Sequence, residues 1–189
     1  FERAWAHFRL EDMNGALGIL HTQVSPWFEE VYHPEAWLLR TYGLVLICKF
    51  PEANTQINAF HDHYGPLSDQ LAAVLPNSDA QSVFDQLRRM TEGQTGVIPE
   101  VVLEPYLSEP RFLDSLAAVK RAEDELARLR NIPSNPFTER VNVWVGDRRG
   151  QLIQDEGDRI LAQLRYRQDH LTQMLSDAQI SRLDILRLE

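Results

Sequence analysis

Pro34-Glu35-Ala36-Trp37, followed by Phe50-Pro51-Glu52-Ala53 and then by Ile57 and Phe60, decides the fold of this chain. Pro at the first position of a helix is well tolerated, so a helix starts near Pro34. A turn holding Phe50 follows, and a second helix runs from about Pro51 to Tyr64. A small residue, Ala53, with a large apolar one four later is the pattern of one helix packing closely on its neighbour. A fainter copy lies upstream: Ala4, Trp5 and Phe8, then Glu11-Asp12-Met13, then Ala16, Leu17 and Leu20. From Ala16 to Ala53 is 37 residues, and from Leu20 to Ile57 is again 37. Such a period predicts stacked helical hairpins, each too small to bury its apolar face alone.

These residues resemble the tetratricopeptide repeat family, whose units run about 34 residues. Trp37 falls on the signature aromatic of the first helix, Phe50 on the turn aromatic, and Ala53 on the small residue opening the second helix. Ile57 and Phe60 take the later apolar positions, and Gly65-Pro66 supplies the closing break. In the upstream copy, Ala4 and Ala16 take the small positions, Asp12 the turn acid and Leu20 the large apolar position. Arg40 and Thr41 stand where the family prefers Leu and Gly, and Cys48-Lys49 replaces its Gly-Asp turn. The resemblance covers residues 1–67, and a chain opening on Phe1 inside a repeat reads as part of something longer. It implies a concave face built from first helices, which places Trp5, Phe8, Arg9, Leu38, Tyr42 and Val45 toward a protein-binding groove, with Arg9 and Arg40 at its edge. The diverged style of the repeats resembles large bacterial envelope proteins, which implies a periplasmic setting ahead of a cytoplasmic one.

Apolar content of 43% and charged content of 25% are those of an ordinary globular chain. No apolar run approaches the roughly 20 residues that span a bilayer. A net charge of −9 disfavours nucleic acid and anionic lipid as partners. The basic pairs Arg88-Arg89 and Arg148-Arg149 read as solvated helix faces. Cys48, the one cysteine, follows Val45-Leu46-Ile47 and reads as a small buried hydrophobe with no disulfide partner.

Past the hairpins, Trp27, Phe28 and Tyr32 fall in an enlarged linker. Leu67, Leu71 and Val74 predict a further helix ended by Pro76-Asn77, and Ser78 or Asp79 caps the next, which carries Val83, Phe84, Leu87 and Met90. Gly93-Gln94-Thr95-Gly96 reads as a linker, dividing a repeat domain over 1–93 from an extended helical region over 94–189. There, Ser108 caps a helix with Phe112, Leu116, Val119, Leu126 and Leu129 on one stripe. Asn135 then caps a second long helix with Pro136 at its first position. Val141 to Val145 could instead form a strand, but its helical neighbours favour helix. Gly146, Gly150 and Gly157 each weaken that helix by about 1 kcal/mol relative to Ala, which leaves room for a bend or a break there. Two helices joined by a short Pro-rich turn fold back as an antiparallel hairpin.

The fold class is therefore all-α: tandem hairpins, then a long antiparallel hairpin. His61 and His63 are two residues apart on a helix and point about 200° apart, so they cannot share a metal ion. Glu29-Glu30 and Glu123-Asp124-Glu125 read as solvated carboxylates, and no phosphate-cradling or nucleophile motif occurs. Neither a catalytic residue, a metal nor a cofactor is expected. The expected function is a non-catalytic adaptor that binds a peptide or helix of another protein within a larger assembly. The alternative is a homo-oligomeric structural protein assembling through Leu171, Leu175, Ala178, Leu183 and Leu186 of the last helix. Two points stay open: whether that stripe packs within the monomer or on a second copy, and whether the groove is filled by the chain's own later helices.

Overall fold

The computed structural model describes residues 1–23, 25–28 and 31–188; the expected carboxylate pair Glu29-Glu30 lies outside these. All regular structure among the described residues is helical. The helices are α1 (Glu2–Arg9), α2 (Met13–Gln23), α3 (Pro34–Leu46), α4 (Phe50–Val74), α5 (Ala80–Met90), α6 (Glu100–Leu107), α7 (Pro110–Leu129) and α8 (Pro136–Leu188). Short 3₁₀ turns occupy Pro26–Phe28 and Leu75–Asn77. The residues around Val141 are thus helical, as the flanking pattern predicts.

Two compact units form: Phe1–Ala72 with Arg167–Glu189, and Ala73–Tyr166. The expected boundary at residue 93 falls inside the second of these. The end of α8 belongs with the first hairpins, a long-range association that no local signal around residue 93 encodes.

In the first unit, the turn between α1 and α2 recurs 37 residues later, bond for bond. The Glu11 amide donates to the Phe8 carbonyl at 3.1 Å and the Asp12 amide to His7 at 3.0 Å; Cys48 to Val45 and Lys49 to Leu44 repeat this at 3.0 and 2.9 Å. Both are Schellman endings, in which one residue past the helix turns left-handed. Glu11 has φ 60° and Cys48 φ 57°. Ala4, Thr41, Ala16 and Ala53 are all fully buried, as are Leu20 and Ile57.

Cys48 itself is exposed rather than buried. It sits past the end of α3, on the turn, where the backbone has already left the apolar face. A left-handed L-residue is strained by about 1–2 kcal/mol, a strain that glycine lacks. Cys48→Gly is therefore expected to raise stability by about 0.5–1 kcal/mol after glycine's own entropic cost. A urea unfolding midpoint that falls instead would refute this.

The break expected at Gly65-Pro66 does not occur, and α4 runs through Pro66. An interior proline costs roughly 3 kcal/mol. The buried stripe Ala53, Ile57, Phe60, Tyr64, Ser68 and Leu71 continues across it, and this packing offsets the loss. Against that stripe lies the end of α8. Ser68 meets Thr172 at 3.2 Å, His61 meets Gln179 at 2.9 Å, and Arg182 donates to Asn58 at 3.2 Å, a constant antiparallel register.

In the second unit, α5 opens with a capping box between Asp79 and Ser82. The sequence predicts no element over 97–107, yet α6 forms there, with Val102, Leu103 and Tyr106 buried. Ser108 ends α6, and α7 starts from Glu109. Gln86, buried on α5, holds the expected linker: its Oε1 accepts from the Val97 and Ile98 amides, and its Nε2 donates to the Ile98 carbonyl. Asn135 caps α8 as predicted, its Oδ1 accepting from Phe137 and Thr138 at 3.0 Å.

Helix α8 runs unbroken for 53 residues despite its glycines. Charged residues that look solvated in the sequence are paired. Glu156, 2% exposed, takes Arg159 and Arg111, and Arg159 grips Glu109 with both terminal nitrogens. Glu123 is held by Arg88 and Arg149 at 3.0 and 2.8 Å, so one member of each basic pair and one of the acid run form a triad. Burial raises the Glu123 pKa, but the hydrogen bonds from Arg149 and Arg88 outweigh it and leave the carboxyl below its ordinary range.

Candidate functional site

Three helical faces converge in the first unit around an open cleft of about 360 Å³. From α1 come Phe1, at its N-terminal boundary, and Trp5; from α3 come Glu35, Leu38, Leu39 and Tyr42; from α8 come His170, Gln173, Met174 and Asp177. In each helix these residues recur at three- and four-residue steps, which put them on one side. Trp5 is fixed by edge-to-face contacts with Phe8 at 5.6 Å and Phe1 at 6.4 Å, and the Arg9 guanidinium lies 5.7 Å from its ring.

The floor is apolar and the edge acidic. Leu38, Leu39 and Met174 are buried, whereas Trp5 and Tyr42 remain half-buried. Glu35 sits 3.8 Å from His170. The Tyr42 phenol is pushed up, first by burial and then by the Asp177 carboxylate.

Of the residues the sequence directs to a groove, Trp5, Leu38 and Tyr42 line this cleft. Phe8 instead packs on the cluster of Ala4, Leu20, Ala36 and Leu39, and Val45 against the larger core shared by α3, α4 and α8. Arg9 borders a second hollow, of about 570 Å³, with Phe1, Glu2, Trp5, Ala6 and Leu10. Arg40 is not at the edge of the cleft. It bonds Gln56 at 2.5 Å and His21 at 3.4 Å, and burial lowers its pKa.

The terminal stripe is divided. Leu171, Leu175 and Ala178 are buried in the core with Leu38, Ile57, Phe60 and Tyr64, so they are not free to join a second copy. The antiparallel register on α4 consumes that face. Leu183 and Leu186 stay 57% and 62% exposed.

His63 stacks on Trp37 with ring centroids 5.3 Å apart, and His61 bonds Gln179. Among the described residues there is no group of three or more metal-ligating side chains, and no helix is long and apolar enough to cross a membrane.

Glu35, His170 and Asp177 escaped the sequence analysis. Only α8 brings the last two to α3, and the stripe through Leu171, Leu175 and Ala178 was the available sign of that return. In the second unit Phe137 and Trp144 are 75% and 68% exposed. Both fall off the buried face of α8, which a helical projection of the sequence could have revealed.

The fold and the cleft define an all-helical protein with an open, aromatic, acid-edged recess between three of its helices. Comparison with protein-family models, with curated proteins and with solved structures gives no match.

Proposed function

We propose that this protein is a non-catalytic adaptor that holds a segment of a partner protein in the cleft formed by Trp5, Leu38 and Tyr42. The observation that carries this reading is the cleft itself: two half-buried aromatic rings beside the buried Leu38, Leu39 and Met174. Aromatic side chains in concave surroundings are the usual anchors of protein recognition, and contiguous apolar surface on a soluble domain marks interaction. The hairpins α1–α2 and α3–α4 are read as tandem tetratricopeptide-like repeats, a reading supported by their bond-for-bond turns at the 37-residue period. The helices α7 and α8 are read as the extended hairpin, supported by the antiparallel order of Glu109–Arg159, Arg111–Glu156 and Glu123–Arg149. A multiprotein assembly of the bacterial cell envelope is the proposed setting.

A photo-crosslinking amino acid placed at Tyr42 in cells is expected to give a discrete adduct with one other protein. The same group at the exposed Gln163 is expected to give none. Trp5→Ala is expected to cut the yield of that adduct at least tenfold while the far-ultraviolet circular dichroism stays unchanged. Equal labelling from both positions would remove the cleft as the binding surface.

A second reading is self-assembly, favoured by the exposure of Ile180, Leu183 and Leu186 on the outer side of α8. If it holds, a mass above the monomer in light scattering collapses in Leu183→Ser, Leu186→Ser double variants. An unaltered mass rules it out.

A further inference from the structure

Resting on the adaptor reading, we infer that the partner enters this cleft with an arginine side chain, presented by a short basic segment. The chemistry of the lining selects it. Glu35 on α3 and Asp177 on α8 line the cleft together with the half-buried rings of Trp5 and Tyr42. Aromatic faces attract cations, and more strongly once the site is desolvated. A guanidinium is planar and weakly hydrated, stacks on aromatic rings and pairs with carboxylates, which suits it better than an ammonium to a recess with both.

The first unit already uses that geometry on itself. Arg9 lies 5.7 Å from the Trp5 ring, and Arg167 lies 5.8 Å from the Tyr32 ring. An acidic ligand is disfavoured twice, by the two carboxylates and by the net charge of −9. A purely apolar ligand would bury on Leu38 and Met174 but would partly desolvate the Asp177 carboxylate without pairing it, which costs free energy. A cleft of about 360 Å³ accommodates one long side chain and its apolar neighbours rather than a whole helix.

The test uses the full chain and three peptides: acetyl-Gly-Leu-Arg-Leu-Gly-amide and its counterparts with glutamate or norleucine in place of arginine. Each is titrated into ¹⁵N-labelled protein while the Trp5 indole N–H resonance is followed. The arginine peptide is expected to shift that resonance with a Kd at least tenfold below that of the glutamate peptide. Asp177→Asn and Glu35→Gln are each expected to reduce the preference about fivefold, with the rest of the spectrum unmoved.

Norleucine binding as tightly as arginine would overturn the inference and leave an apolar cleft that still serves the adaptor reading. Absence of any shift at Trp5 with all three peptides also overturns it. The cross-link at Tyr42 then decides the adaptor reading on separate grounds.

Discussion

A chain shortened to residues 1–170 is expected to lose the cooperative fold of its first unit. The cut removes Leu171, Met174, Leu175 and Ile185, all buried against Ile57, Phe60 and Tyr64. Burial of one such side chain contributes about 1.5–3 kcal/mol. Four of them approach the roughly 5–15 kcal/mol that separates a folded domain from its unfolded chain. The cut also strips α4 of Ser68–Thr172 and His61–Gln179. Hydrogen exchange is the decisive measurement. Amides of α3 and of α4 up to Tyr64 should lose protection by at least a hundredfold, while those of α5 keep theirs. Protection within threefold of the full chain would show that α1–α4 stand without α8.

Gly157→Ala is expected to destabilise the second unit, against the ordinary trend for helices. In an exposed helix interior the change from Gly to Ala stabilises by about 1 kcal/mol. At position 157 an added Cβ would lie 2.1 Å from the Ala80 carbonyl oxygen and 2.6 Å from its carbonyl carbon. Both atoms are backbone, so no side chain can swing aside, and α8 must move from the start of α5. Overpacking of this kind costs about 1–3 kcal/mol, or more when rigid groups meet. The net expectation is a loss of about 2 kcal/mol, seen as a melting temperature lower by roughly 4 °C or more. Gly146 on the same helix has nothing within 4 Å of its added Cβ. Gly146→Ala should therefore gain stability by up to about 1 kcal/mol. Equal gains at both positions would show that α8 does not approach α5 as closely as this.

Helix positions were legible wherever a local signal sufficed. The starts at Pro34 and Pro136, the caps Asp79 and Asn135, and the linker after Gly93 all depend on residues within one turn of the feature. The 37-residue recurrence was legible too, because a turn geometry imposes its own spacing. Local signals misled where a distant segment overruled them. Pro66 looks like a terminator, yet the stripe from Tyr64 to Leu71 is held by the end of α8. Eight-residue α6, with Pro105 inside it, carries too short a pattern to stand out. Only part of the cleft was legible: Trp5, Leu38 and Tyr42 follow from the repeat register, whereas His170 and Asp177 lie more than a hundred residues further on.

By itself the sequence determined an all-helical chain and the two matched turns, because helical periodicity, caps and turn residues act over a few neighbouring positions. Which apolar stripe meets which was decided only in three dimensions. Leu171, Leu175 and Ala178 suit a second copy as well as α4, since burial is non-directional and depends on area rather than on address. The same holds for the glycines of α8, alike in sequence and opposite in consequence. Only the position of the Ala80 backbone distinguishes Gly157 from Gly146.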